Sequence, residues 1–236
     1  MGTSKGYLPP TGHLWSDAKR AVSGIARNNL SSSSIGKAMS NFSKATASGG
    51  SRQKSDSIIA KSGAKVIGFS GLVRQVGLAN ALDQVGLTHL KGKDPHTIIL
   101  GLVDYFSEST NTIQQSIANQ AIQDYMLELM NGIETESETE AILSNLDSET
   151  FIMDYLSKYM EVYFFTNFAE KISSLCKDIQ QTIKMQDRIK EFIRLEIKQN
   201  YNVEGLENVD WRGREGERYI QQKCNQIWSI FENWGD

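Results

Sequence analysis

The chain has 236 residues, 39% hydrophobic and 22% charged, with a formal net charge of −3, enough for one sizeable core or two small ones. No run approaches the roughly 18 consecutive apolar residues of a membrane span, and no charged start leads into an apolar run and a small-residue cleavage site, which argues against a membrane or secreted protein and predicts a cytoplasmic one. Two cysteines, Cys176 and Cys224, and three histidines argue against a disulfide framework or a cysteine zinc site and leave little for a metal centre.

Charge is spread unevenly along the chain. Residues 1–105 carry 13 Lys or Arg against 5 Asp, a balance of +8, and residues 106–236 carry 12 against 23 acids, a balance of −11. Such asymmetry suits either a basic arm for an acidic partner or nucleic acid, or halves that attract each other and keep the protein soluble.

Residues 1–56 read as a flexible, basic, Ser/Gly-rich N-terminal arm. Pro9 and Pro10 favour an extended backbone, and Gly2, Gly6 and Gly12 loosen the first dozen residues. Trp15, Ala18, Val22 and Ile25 recur at helical spacing, with Ser16 or Asp17 as N-cap, so a short docking helix is expected there. From Leu30 to Ser57 the stretch LSSSSIGKAMSNFSKATASGGSRQKSDS is poor in large apolar side chains. By composition it buries too little to offset its ordering entropy, which predicts a mobile tract.

Residues 57–236 read as an all-α domain. Ile58, Ile59, Val66, Ile67 and Phe69 form one apolar face and Leu72, Val73, Val76, Leu78, Leu82 and Val85 another, with Gly68, Gly71 and Gly86 as expected joints. Asp94-Pro95 makes an N-cap and first turn for Ile98 to Phe106, and Thr112 with Gln115 makes a capping box for a helix from Ile113 to Leu129 that stops at Asn131-Gly132. The acidic run 133–147 lacks the spacing of a calcium loop and reads as a solvated loop entering a helix. Between Glu149 and Tyr201 neither Gly nor Pro occurs, and the apolar series from Ile152 to Ile197 predicts a packed helical hairpin broken near Thr166 and Asn167. A final helix carries Tyr219, Ile220, Cys224, Ile227, Trp228 and Phe231 and ends at Trp234-Gly235.

Chemistry-bearing motifs are sparse. Gly36-Lys37 is followed by Ala38, not Ser or Thr, so no phosphate-binding loop is present. His89, Asp94 and His96 make an incomplete ligand set and read as caps and surface groups. Cys176, beside Leu175 and Ile179, and Cys224 read as small buried hydrophobes, not nucleophiles. The segment from Trp211 to Arg218 offers guanidinium groups to grip phosphate and an indole for stacking, yet Asp210, Glu215 and Glu217 stand close enough to make it a self-neutralising helix entry. No acid, base and nucleophile converge, which predicts a protein that is not an enzyme and holds no cofactor.

The start MGTSKGYLPP fails the myristoylation pattern, with Gly6 where Ser or Thr is needed. Gly2-Thr3-Ser4 with Tyr7 and Pro9-Pro10, ahead of a Ser/Gly-rich tract, resembles the start of the B component of the bacterial Qat anti-phage defence system. GLANALDQVGLTHLKGKDPHTIILGLVDYF and NTIQQSIANQAIQDYMLEL resemble that family's helical core. The resemblance implies an operon partnership with an ATPase, a TatD-like nuclease and a QueC-like enzyme. It further implies that the QueC-like enzyme joins a deazaguanine-type group to the exposed glycine, here Gly2, with Thr3, Ser4 and Tyr7 as partner-binding residues. An uncharged amine on a thin chain is what such a step needs, and an α-amino group with pKa about 8 supplies it near neutrality. The alternative expectation is a nucleic-acid-binding adapter that uses the basic arm.

Overall fold

The computed structural model describes residues 11–48, 51–107, 109, 112–202, 205–206 and 209–235. Among them are ten α-helices, 3-10 structure that includes Thr88–Leu90, and no strand, so the all-α expectation holds. The helices are α1 (His13–Arg27), α2 (Ser32–Ala47), α3 (Ser51–Val76), α4 (Leu78–Gln84), α5 (Pro95–Phe106), α6 (Ile113–Leu129), α7 (Glu136–Ser144), α8 (Ser148–Leu175), α9 (Ile179–Asn200) and α10 (Arg214–Glu232). The chain clusters into two compact units. One comprises residues Met1–Gln53, Met160–Tyr201 and Asn225–Asp236, and the other Lys54–Tyr159 and Asn202–Cys224.

The first unit is built around Phe42 of α2. Its ring lies 6.1 Å from Trp15, 5.5 Å from Tyr163, 5.4 Å from Phe164, 5.7 Å from Phe168 and 5.9 Å from Trp228, mostly edge to face, the arrangement that the ring quadrupole favours. The Trp15, Ala18, Val22 and Ile25 stripe is buried on α1, as its spacing predicts, although the helix begins earlier, after Gly12. The chain then reverses through Asn29 and Leu30, both in the left-handed region with φ of 50° and 56°.

Here the expected mobile tract is overturned. Ser31 caps α2 by accepting the Ser34 amide, and Ile35, Ala38, Met39, Phe42 and Ala45 are fully buried. The helical body therefore begins well before Ser57. Composition misleads because the small residues lie on the packed face: Gly36 admits the Trp234 ring, and the hydroxyls of Ser34 and Thr46 donate to carbonyls three residues back at 2.8 and 2.9 Å. One phenylalanine with small neighbours packs closely enough to order the segment.

The second unit holds two ring clusters, Tyr125, Phe151 and Tyr155 with centroids 5.1 and 5.3 Å apart, and Phe69, Tyr105 and Phe106. Helix ends are tied by polar groups from neighbouring helices: the Glu140 carboxylate accepts the Leu78 amide at 2.9 Å, and Arg74 donates to the Ser144 and Leu146 carbonyls at 2.8 and 3.2 Å. The Tyr159 hydroxyl donates to the buried Asp56 carboxylate at 2.8 Å.

Other expectations meet mixed outcomes. The caps at Asp94 and Thr112 form, each accepting the amide three residues on. The acidic run is largely helix α7, because Thr135 and Glu138 close a reciprocal capping box. Gly68 and Gly71 are not joints, since α3 continues to Val76 and breaks at Gly77, whose φ is +80°. No break falls at Thr166 or Asn167, whose side chains donate to the Val162 and Tyr163 carbonyls at 2.8 Å within the helix. The hairpin turns instead at Cys176 to Asp178, where Asp178 caps α9 by accepting the Gln181 amide. That turn leaves Cys176 half-exposed and Ile179 71% exposed, against the expected core position, whereas Cys224 is buried as read.

Candidate functional site

The second unit carries a cleft of about 330 Å3 beside α3. One stripe of α3 forms its wall, with Lys61, Lys65, Phe69 and Leu72 at helical spacing and the small residues Ala64 and Gly68 between them. Tyr105 comes from the end of α5, and Gln84 and Val85 from the end of α4. The opposite side is Trp211, Arg212 and Gly213 with Glu217 of α10.

Small residues set this geometry. A Cβ on Gly68 would stand 3.2 Å from the Trp211 carbonyl oxygen, and one on Gly216 would stand 3.0 Å from Trp211 Cα and Cε3, so glycine at both positions lets the Trp211 segment lie directly against its neighbours. The Trp211 indole is braced by Tyr219, 5.7 Å away and at 77°. Backbone bonds shape the entry to α10: Asp210 Oδ1 accepts the Arg212 amide at 3.0 Å, the Asp210 carbonyl accepts the Gly216 amide at 3.1 Å, and Glu215 accepts the Asp210 amide at 3.3 Å. Asp210 and Glu215 thus engage main-chain amides. The Arg212 guanidinium reaches across to Gln75 at 3.5 Å, and Lys65 Nζ reaches the Tyr105 carbonyl at 3.4 Å while standing 5.8 Å from its ring.

The other residues singled out in the sequence lie elsewhere. Gly2, Thr3, Ser4 and Tyr7 fall outside the described residues. His89 and His96 are exposed, and Asp94 caps α5, where the Thr97 hydroxyl and amide hold its carboxyl below the usual range. Among the described residues no three His, Cys, Asp or Glu are placed to hold a metal ion. Of the cleft, the sequence pointed to the Trp211–Arg218 segment, which supplies Trp211, Arg212, Gly213 and Glu217. Lys61, Lys65 and Tyr105 were missed because only packing brings α3 and α5 to them.

A family model described as Qat anti-phage system associated protein QatB matches residues 49–231. No curated protein and no solved structure matches the chain.

Proposed function

The chain belongs to the QatB family of the Qat anti-phage system, and from that premise we propose that it acts as a non-enzymatic component whose Gly2 is bound and modified by a QueC-like partner enzyme. The family match carries the defence role. The terminal chemistry is supported by the MGTS start, where small residues at 2 to 4 suit a narrow active site and the α-amine is partly uncharged near neutrality. A deazaguanine-type group is the proposed conjugate, Thr3, Ser4 and Tyr7 the proposed partner contacts, and the operon ATPase and TatD-like nuclease further proposed partners. A cytoplasmic location goes with these partners, and among the described residues no helix is long and apolar enough to cross a membrane.

Intact mass tests this directly. Protein expressed with the QueC-like neighbour should carry an added mass that is missing when the neighbour is omitted, and Gly2→Glu should remove both the added mass and protection against phage while the helical content stays unchanged. A Gly2→Glu protein with the wild-type added mass and full protection overturns the proposal.

A second reading, an adapter for nucleic acid, draws on Arg20, Arg27, Lys37 and Lys44, all exposed on α1 and α2. Capture of nucleic acid that weakens steeply with salt and is indifferent to Gly2→Glu would favour it.

A further inference from the structure

We infer that the cleft beside α3 is a binding site for a mononucleotide, with the phosphate held by Lys61, Lys65 and Arg212 and the base against Trp211 and Tyr105. This goes beyond the terminal modification and does not rest on it.

Charge points to the phosphate. The unit that holds the cleft carries 11 Lys or Arg against 19 Asp or Glu, a formal balance of −8, yet the cleft gathers three cations and one carboxylate. The lining side chains alone sum to +2, and this complements a phosphate monoester, which carries about −1.5 to −2 near neutrality. Arg212 adds a fork that can pair with two phosphate oxygens at once.

Shape agrees with charge. About 330 Å3 lies at the small end of ligand pockets, which run from about 300 to 1,000 Å3, so it suits one nucleotide unit. Trp211 is held by Tyr219 and by the Gly68 and Gly216 approaches before any ligand arrives, which lowers the entropy lost on binding. Phe69 and Leu72 add an apolar wall.

Glu217 points to the base. A carboxylate in a site for a bare anion would repel it, whereas the ring or exocyclic N–H groups of a base can donate hydrogen bonds to that carboxylate. The ligand is therefore a phosphate joined to an N–H-bearing heterocycle.

Calorimetric titration of the full chain with GMP and with AMP tests the inference, alongside guanosine, inorganic phosphate and a single-stranded oligonucleotide. At least one mononucleotide should bind one to one. Guanosine and phosphate should each bind at least roughly tenfold more weakly, since each offers half the contacts. Arg212→Ala and Lys61→Gln, both exposed positions, should each weaken binding roughly tenfold with helicity and melting unchanged. Trp211→Phe should retain binding that Trp211→Ala loses. Four results would each overturn the site: no saturation by either mononucleotide at millimolar concentration, phosphate binding as tightly as nucleotide, affinity unchanged in both Arg212→Ala and Lys61→Gln, or an oligonucleotide that occupies several nucleotides per protein more tightly than either monomer.

Discussion

Gly36 stands where α2 meets the indole of Trp234, and a Cβ built there would lie 2.3 to 2.4 Å from three ring carbons. Two effects oppose each other at this residue. Alanine in a helix interior is favoured over glycine by about 1 kcal/mol, while overpacking a filled site costs about 1–3 kcal/mol. Trp234 is itself held edge to face by Phe192 at 5.8 Å, so it does not swing away freely. Gly36→Ala should therefore destabilise the native chain and stabilise one already carrying Trp234→Ala, read from urea unfolding of the four proteins in a double-mutant cycle. Equal effects in both backgrounds would remove the indole from the account. In the sequence Gly36 is legible only as half of a failed phosphate loop, because its partner lies at the far end of the chain.

The helix starts at Asp94 and Thr112 are readable because a cap is a local bond between residues three apart, whereas the Thr135 cap lies in an acidic run that reads as a loop and α1 starts at Gly12, ahead of Ser16 and Asp17. Glu138 accepts the Glu134 and Thr135 amides and the Thr135 hydroxyl at 3.0 Å, and these bonds to the ionised form hold its carboxyl below the ordinary 4.5. Asp94 is held below 3.8 by the Thr97 hydroxyl and amide. A carboxyl depressed in the folded state stabilises the fold above its unfolded value, and that contribution is lost as pH falls through the folded value. Stability should thus decline as pH drops below about 4.5, and Glu138→Gln should flatten part of that decline. A stability difference between wild type and Glu138→Gln that stays constant from neutrality down through 3.8 would show that the ionised box does not contribute. Helix interiors were less readable. Thr166 and Asn167 look like breakers, but each bonds a carbonyl four residues back, so α8 runs on to Leu175.

At the scale of the molecule, the polarity along the chain is redistributed in space. Halves of +8 and −11 become a first unit with 14 basic against 9 acidic residues and a second with 11 against 19. The first unit is assembled from three separate stretches of chain, and α1 and α2 supply the rings that meet Phe164, Phe168 and Trp228. A protein beginning at Ser57 should therefore lose more than an arm. Removing Trp15 and Phe42 with their helices strips buried aromatics whose single truncation alone typically costs about 3–5 kcal/mol, so this protein should melt far lower than the full chain or aggregate, by calorimetry and light scattering. Unchanged melting would mean that α1 and α2 are peripheral to that core.

Sequence alone determined the all-α class, the amphipathic face of α1, the caps of α5 and α6, the burial of Cys224 and the family resemblance, because each is written in the spacing of neighbouring residues or in a short motif. Tertiary structure decided the order of the Ser-rich tract, the turn at Cys176 and the cleft beside α3. A serine or glycine becomes core filler only against a ring such as Trp234, and lysines on α3 become a site only when Gly68 admits Trp211. Those partners are distant in the chain, and only packing selects them.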